Sequence, residues 1–161
     1  MSDGIVIRAV APADLEALRP LWEALYRHQA GHGMLLRLPP DAFDLWVRAW
    51  RPQLGRFATA IVAERDGHLL GFAAGRLRTL PPHFGAEVVG TLSELFVGEA
   101  ARGAGIGQRL VAALVEWFAT QGITRIEVQV VSRNPAASRF YERLGWSPEL
   151  SQLVWRRPIE E

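Results

Sequence analysis

Hydrophobic and polar residues recur along the chain with two different periods, which together predict a mixed α/β fold. Runs of apolar and β-branched residues, typical of strands, occupy 5–9, 57–64, 69–77, 88–97 and 126–131. Between them, leucine, tryptophan and phenylalanine recur every three or four residues, as on one buried helix face, in segments that begin near residues 12, 39, 108 and 134. A final pair of short strands is predicted from Trp146 and from Leu150 to Arg156.

Turn and helix-end residues indicate how these elements connect. Asp66-Gly67 between two strand patterns predicts a tight hairpin and therefore antiparallel pairing. Pro20 inside the first helical pattern predicts a kink or break near residue 19. Asn134-Pro135 predicts the N-cap and first residue of the last helix. The strand–helix–strand unit over 88–131 predicts a parallel, right-handed crossover.

Composition restricts the class of protein. The 161 residues, 49% of them hydrophobic, suit one folded domain, and we expect a single domain over residues 1–161. A net charge of +1 provides no broad field for nucleic acid or for an anionic membrane. Without cysteine there are no disulfides, thiolate metal sites or cysteine-linked intermediates. We see no secretory leader and no apolar run long enough to span a bilayer, so we expect a cytoplasmic protein.

The most informative segment is Arg102-Gly103-Ala104-Gly105-Ile106-Gly107, which lies between a strand pattern and a helix pattern. Glycines let consecutive backbone N–H groups turn towards a bound anion. The helix that follows adds free N–H groups and the positive end of its dipole. Arg102 supplies a guanidinium fork suited to phosphate oxygens. We interpret residues 102–107 as a pyrophosphate-binding loop. A plain glycine-rich turn is the alternative, but it has no need of three entropically costly glycines beside an arginine.

Two other phosphate-binding motifs fit this segment less well. A dinucleotide fingerprint that starts at Gly103 needs a glycine where Gln108 stands. A P-loop needs a lysine, and the chain has none.

With a second motif added, the chain resembles the GNAT superfamily of acyl-CoA-dependent N-acetyltransferases. That family's Arg/Gln-x-x-Gly-x-Gly/Ala signature corresponds to residues 102–107, preceded here by Glu94-Leu95-Phe96-Val97. Its Asn-x-x-(Ala/Ser)-x-x-x-Tyr-(Glu)-x-x-Gly-(Phe/Trp) element corresponds to residues 134–146. The resemblance implies a GNAT-like mixed, mostly antiparallel sheet with a splayed central strand pair, flanked by about four helices.

The resemblance also implies acetyl-CoA as co-substrate, and it indicates the cofactor contacts. The backbone of Phe96 and Val97 would pair with the pantetheine arm like an added strand. Asn134 would hydrogen-bond near the pantetheine or the acetyl group, although an N-cap role explains it equally well. The pyrophosphate would be bound by Arg102, Gly103, Ala104, Gly105, Ile106 and Gly107.

Tyr141 is the candidate catalytic acid. Attack of an amine on the thioester expels the CoA thiolate, which a phenol with a pKa near ~10 can protonate. Tyr141 lies seven residues beyond Asn134, so both are expected to project from the same helix face about two turns apart. A core tyrosine between Phe140 and Leu144 is the alternative, so the catalytic role rests on the resemblance.

Glu94 is the candidate catalytic base for the substrate ammonium. Strand alternation is expected to place Leu92, Glu94 and Phe96 on one face. A carboxylate on so apolar a strand either faces the substrate cleft or pairs with an arginine. The resemblance fixes no position for the base.

The first helix contributes candidates for the acceptor side. His28 and His32 have the spacing of a helical metal pair, but glycines indicate that the helix ends there and no third ligand stands out, so we expect no metal. Because the family uses its first two helices as a specificity wall, Tyr26 and both histidines are expected near the substrate entrance. Trp22, Trp46 and Trp50 are expected in the core, and the alternative is that one of them lines the acceptor pocket.

These observations predict an N-acetyltransferase that transfers acetyl from acetyl-CoA to a primary amine by direct attack in a ternary complex. Two alternatives remain: a non-catalytic acyl-CoA-binding sensor or interaction module, and a different nucleotide binder. A small-molecule or peptide amine is the expected acceptor, and near-neutral charge selects none in particular. Homodimers are common in the family, but the sequence locates no interface.

Overall fold

A five-stranded sheet forms the centre of the molecule in the computed structural model, which describes residues 2–159 of the chain. The strands follow chain order across the sheet. They are β1 (Val6–Ala9), β2 (Ala58–Arg65), β3 (His68–Thr79), β4 (Val88–Val97) and β5 (Ile126–Val128). The first four strands pair antiparallel with their neighbours, whereas β4 and β5 are parallel. The predicted mixed, mostly antiparallel sheet is confirmed.

Four α-helices cover the two faces of this sheet in the described residues. They are α1 (Arg19–Gly31), α2 (Ala42–Trp50), α3 (Ile106–Thr120) and α4 (Pro135–Arg143). Residues of α1 and α2 form one apolar layer with the sheet, and residues of α3 and α4 form the other. A 3-10 helix over Pro12–Leu18 precedes α1, and Pro20 lies in the first turn of α1, where a missing N–H breaks no helical bond. The break expected near residue 19 is therefore present.

The hairpin between β2 and β3 turns at Asp66-Gly67, as predicted. These two residues have φ angles of +52° and +78°, and two positive values in succession are typical of tight hairpin turns. The turn sets the register in which Arg65 lies opposite His68. The long β3 strand is thereby aligned along β4, which carries the candidate base.

A β-bulge in β4 changes which residues face which layer. The register with β3 shifts between Leu92 and Glu94, so Ser93 is an extra residue in the ladder. Leu92 packs in the layer of α3, whereas Phe96 contacts the layer of α1 and α2. The expectation that Leu92, Glu94 and Phe96 share one face is therefore wrong for Leu92, because a bulge shifts the alternation by one residue.

The last described segment contains neither helix nor strand after α4. The final pair of strands expected from Trp146 and from Leu150 to Arg156 is absent from the described residues, and Trp155 is 80% exposed. The preceding strand, β5, ends at Val128 instead of Val131. Apolar and β-branched residues favour a strand, but strand formation also needs a neighbouring backbone to pair with. The segment has no ladder with β5 within residues 2–159.

No helix in residues 2–159 has the length and apolar character needed to cross a membrane. The expected cytoplasmic location and the single domain over residues 1–161 remain predictions.

Candidate active site

A loop of exposed backbone connects β4 to α3 and leaves a row of N–H groups without acceptors. The chain makes a short 3-10 turn, Glu99–Ala101, and then runs through Arg102 into α3. Gly103 and Gly105 have φ angles of +89° and +72°, which residues with a Cβ rarely adopt. The N–H groups of residues 103–108 have no acceptor among residues 2–159. These donors lie at the positive end of the α3 dipole, where an anion is favoured.

The Arg102 side chain joins this loop to the end of β4. Its Nε donates a hydrogen bond to the carbonyl oxygen of Val97 at 3.1 Å. Its guanidinium carbon lies 5.4 Å from the centroid of the Phe96 ring, within the range of a cation–π contact. No ion pair in the described residues engages the rest of the guanidinium. Arg102 is thus fixed at the loop with terminal nitrogens free for phosphate oxygens.

The end of β4 lies beyond its pairing with β5. The parallel ladder consists of three residue pairs and stops where Leu92 lies opposite Val128, but β4 continues to Val97. Phe96 and Val97 therefore pair with β3 on one side and with no strand of residues 2–159 on the other. This is the stretch expected to pair with pantetheine. The splayed strand pair itself remains a prediction.

Asn134 caps α4, as the sequence predicts. Its Oδ1 accepts a hydrogen bond of 3.2 Å from the N–H of Ala137, and Pro135 is the first helical residue. The cap uses the acceptor atom and leaves the side-chain amide N–H groups available. The expected contact with the cofactor remains a prediction.

Tyr141 is 8% exposed and lies between two aromatic rings of the α3–α4 layer. Its ring centroid is 5.1 Å from that of Phe140 and 5.4 Å from that of Trp146. Burial raises the pKa of the Tyr141 phenol well above its ordinary value, and no hydrogen bond or charge in the described residues contributes. The hydroxyl is therefore protonated at neutral pH, and the raised pKa makes it a weaker proton donor than the free phenol. The same burial also fits a core tyrosine, so its catalytic role remains a prediction.

Glu94 is buried beneath α1 and α2 and is held by two aromatic residues. The Tyr26 hydroxyl and the Trp46 Nε1 donate hydrogen bonds to Glu94 Oε1, at 3.0 and 3.1 Å. Glu94 Oε2 is also buried, and it has no partner among residues 2–159. The arginine pair considered as an alternative does not form in the described residues, because both hydrogen bonds come from neutral donors. One carboxylate oxygen thus orients the side chain and the other is unoccupied.

This environment raises the pKa of Glu94 to near neutral pH. The side chain is 5% exposed. Burial raises its pKa to about 7, although the Tyr26 and Trp46 hydrogen bonds and the charge of Arg76 act in the opposite direction. Burial and the adjacent carboxylate also raise the pKa of Tyr26, which remains a neutral donor. A carboxylate with a pKa near the working pH is suited to general base catalysis.

A partly open cleft of about 360 Å³ lies between α1 and the loop over residues 33–39. Trp22 and Tyr26 line it, and both also belong to the apolar layer around Glu94. The residues that line the cleft are Trp22, Glu23, Tyr26, Arg27, Ala30, Met34, Leu36 and Leu38. The cleft is therefore next to the candidate base, with Tyr26 common to both.

His28 and His32 lie close together at the end of α1. Their ring centroids are 4.5 Å apart, and His32 Nδ1 is 2.9 Å from the carbonyl oxygen of His28. Within residues 2–159, no three His, Cys, Asp or Glu side chains are arranged to hold a metal ion. His28 lies 6.3 Å from Phe96, ring centroid to ring centroid. This end of α1 is therefore near the end of β4, and the need for no metal remains a prediction.

The sequence identifies Glu94 but not its two donors. It assigns Tyr26 to the substrate entrance and Trp46 to the core, whereas the structure shows both bonded to one carboxylate oxygen. The sequence does indicate what kind of donor to expect. A buried acid needs hydrogen-bond donors, and tyrosine and tryptophan are largely apolar side chains that each carry one polar atom. The spacing of residues does not reveal which helix position meets which strand position.

The comparison with protein families gives a decisive match. The model described as the Acetyltransferase (GNAT) family matches residues 16–146, a range that contains Glu94, the glycine loop, Asn134 and Tyr141. The chain belongs to the GNAT acetyltransferase family. The resemblance inferred from the two motifs is confirmed.

Curated relatives are consistent with this assignment. Mycothiol acetyltransferase of Streptomyces avermitilis is 29% identical over 157 residues, which cover 97% of this chain and 47% of that protein. Mycothiol acetyltransferase of Gordonia bronchialis is 30% identical over 145 residues, which cover 83% and 46%. The chain thus spans about half the length of the curated relatives it matches.

Solved structures show the same fold. Aminoglycoside N-acetyltransferase AAC(6')-Iy in complex with CoA matches with a TM-score of 0.78 and 22% identity, covering 99% of this chain and 98% of the other. Ribosomal-protein-alanine N-acetyltransferase from Brucella melitensis biovar Abortus 2308 matches with a TM-score of 0.70 and 21% identity, covering 95% and 99%. One of these neighbours therefore holds CoA on this fold.

Proposed function

We propose that this chain transfers an acetyl group from acetyl-CoA to a primary amine by direct attack in a ternary complex. One observation supports the proposal: a loop of N–H groups without acceptors follows directly after β4, and β4 carries a buried carboxylate with one oxygen unpartnered within residues 2–159. The N–H groups of residues 103–108, with Arg102, would bind the pyrophosphate. The backbone of Phe96 and Val97 would pair with the pantetheine arm, and Asn134 would contact it from α4.

The chemical step needs a base and an acid, and the site offers one of each. Glu94 would accept a proton from the acceptor ammonium, and the freed amine would attack the thioester carbonyl carbon. The C–N bond forms, the C–S bond breaks, and its electron pair leaves on sulfur. Tyr141 would donate its hydroxyl proton to that thiolate. As the amide forms, the attacking nitrogen loses its second proton, which would restore the Tyr141 hydroxyl, and Glu94 would release the first proton to solvent. The products are the N-acetylated amine, CoA and one proton.

The acceptor is proposed to be a small-molecule or peptide amine. Relatives and neighbours include enzymes named for mycothiol, aminoglycosides and a ribosomal protein alanine. These names refer to chemically different acceptors, so they do not select one for this chain. We propose that residues 1–161 suffice for the reaction as a single domain.

Release of CoA thiol from acetyl-CoA, measured with a panel of amines, tests the reaction directly. We expect saturation in both substrates, and an unchanged rate after divalent cations are chelated. Calorimetry with acetyl-CoA should show binding that Arg102→Ala weakens about tenfold, because a charge-assisted bidentate contact is lost. Binding without turnover on any amine would favour a non-catalytic acyl-CoA module. Stronger stabilisation by ATP or NAD than by CoA would favour another nucleotide binder.

Tyr141→Phe tests the proposed acid. We expect kcat to fall about 100-fold with the acetyl-CoA Kd unchanged, because the hydroxyl acts on the leaving thiolate. The melting temperature should stay close to that of the parent, since the variant keeps the buried ring. An unchanged kcat would remove Tyr141 from the chemistry and leave it as a core residue.

A further inference from the structure

The apolar wall and the charged residues of the cleft beside α1 favour some amines over others. We infer, on the basis of the proposed function, that the acceptor carries a single ammonium group on an apolar body, which lies in the cleft between α1 and the loop over residues 33–39. Polycationic acceptors such as aminoglycosides and polyamines are poor partners for this site. The inference rests on the apolar wall, the charges and the inner end of the cleft.

The outer wall of the cleft is apolar although it lies at the surface. Met34, Leu36 and Leu38 line it, and Leu36 is 72% exposed. Exposed leucines grouped around a concavity mark a surface that gains free energy when an apolar group covers it. Ala30 continues this wall on α1. An alkyl or aryl body therefore has a place to bind outside the reaction centre.

Within residues 2–159, the lining of the cleft carries one carboxylate and one guanidinium, so it offers a second ammonium no net attraction. Glu23 is the acidic residue of the lining, and its Oε1 is 3.5 Å from a terminal nitrogen of Arg19. Arg27 lines the same cleft and would repel a second cation. Because each additional ammonium would be desolvated without a partner, binding of polyamines is disfavoured.

The inner end of the cleft suits one ammonium. Tyr26 lines the cleft and donates to Glu94 Oε1, while the buried Glu94 Oε2 has no partner in the described part of the chain. The ring centroids of Trp22 and Tyr26 are 4.3 Å apart. Aromatic faces attract cations, most strongly where water is excluded. Glu94 itself does not line the cleft, but an ammonium held at these rings would lie next to Tyr26, whose hydroxyl is bonded to the Glu94 carboxylate.

A series of linear alkylamines from ethylamine to octylamine tests this inference at fixed, saturating acetyl-CoA. Each added methylene should lower KM about two- to fourfold until the cleft is filled. Spermidine and kanamycin should have kcat/KM values at least about tenfold below that of hexylamine. Calorimetry of hexylamine binding to the CoA-saturated protein gives a second readout that does not depend on turnover.

Two neighbouring leucines provide a matched pair of variants. Leu35 and Leu36 are both exposed, at 64% and 72%, but only Leu36 lines the cleft. Leu36→Glu should raise the KM for hexylamine about tenfold and reduce the difference between hexylamine and spermidine, because it adds an acid to the wall. Leu35→Glu adds the same charge to the same loop and should leave both values close to those of the parent.

The outcomes separate this inference from the proposed function. Turnover that favours polycationic amines, or that ignores chain length, overturns the inference and leaves the acetyltransferase proposal intact. If hexylamine binds, Leu36→Glu weakens that binding and no amine is turned over, the amine site is supported and the acetyltransferase proposal is overturned. Absence of both binding and turnover overturns the inference. Equal effects of Leu35→Glu and Leu36→Glu would also overturn it, because the cleft would then not be the contact.

Discussion

The glycine loop follows the strand that carries Glu94, but the two sites are built from different parts of the polypeptide. The loop presents backbone N–H groups of consecutive residues, 103–108, at an exposed helix start. The Glu94 site is made of side chains, and its donors Tyr26 and Trp46 come from 68 and 48 residues away along the chain. A backbone site tolerates change in most side chains, whereas a side-chain site can be altered by single substitutions. We infer that the glycine loop retains acetyl-CoA binding when its side chains change, whereas the Glu94 site can change to fit a different acceptor.

The two regions also handle charge in opposite ways. The loop offers dipoles and one guanidinium at an exposed surface, which suits the solvated diphosphate that we propose it binds. Glu94 is enclosed, and burial raises its pKa to about 7. Substitutions in the loop should therefore change the acetyl-CoA Kd, and substitutions around Glu94 should change the rate and its dependence on pH.

Glu94→Gln should have the largest effect on the rate. The amide keeps the shape and the oxygen that accepts from Tyr26 and Trp46, but it cannot take a proton at the reaction centre. We expect kcat/KM to fall about 100- to 1,000-fold, with the acetyl-CoA Kd unchanged. The parent rate should rise with pH through about 7, where Glu94 ionises. Glu116→Gln, on the exposed surface of α3, is the control and should match the parent.

The same substitution should change how stability depends on pH. Because the folded-state pKa of about 7 lies above the ordinary value of 4.5, the folded protein binds more protons than the unfolded chain between these two values. The stabilisation is complete below 4.5 and is lost as pH rises through about 7, a change on the order of 3 kcal/mol. The free energy of unfolding, measured by denaturation at pH 5 and at pH 8, should show this loss in the parent and not in Glu94→Gln. An equal loss in Glu94→Gln would contradict the assigned pKa.

The loop is predictable from the sequence because its function follows from neighbouring residues. Gly103 and Gly105 adopt the positive φ angles that a glycine-rich turn permits, and Arg102 follows directly after the strand's end. The same holds for the Asp66-Gly67 hairpin and for the Asn134 cap. In each case a few adjacent residues determine the conformation, so a local pattern is sufficient evidence.

Gly105→Val tests the backbone side of the comparison. A β-branched residue at φ +72° would be strained and would distort the first turn of α3. We expect the acetyl-CoA Kd to rise about 30- to 100-fold, measured by calorimetry. Gly55→Val is a matched control, because Gly55 has φ +84° and is also exposed with open space around it. It should show a similar loss of melting temperature with an unchanged Kd; an equal rise in Kd would mean that strain alone weakens binding.

Other features are unpredictable from local pattern because they depend on distant backbone. The bulge at Ser93 appears only once β3 and β4 are paired, and it reverses the face expected for Leu92. The apolar segment from Leu150 to Arg156 resembles a strand in composition, yet no described strand pairs with it. The donors of Glu94 depend on how α1 and α2 pack on the sheet. Propensity describes a residue's preference, whereas these outcomes depend on which partner is within reach.

Trp46→Phe should have the smallest effect and would refine the side-chain half of the comparison. It removes one N–H donor that favours ionised Glu94, so the pKa of Glu94 should rise and the midpoint of the pH–rate profile should move upward by less than about one unit. At pH 7 we expect a two- to threefold lower rate, recovered fully at high pH. Trp50→Phe is the matched control, because Trp50 stacks on Trp46 at 5.0 Å but is not bonded to Glu94. A rate that falls equally at every pH would assign Trp46 to packing, whereas a displaced midpoint identifies it as a positioning residue that acts through the carboxylate.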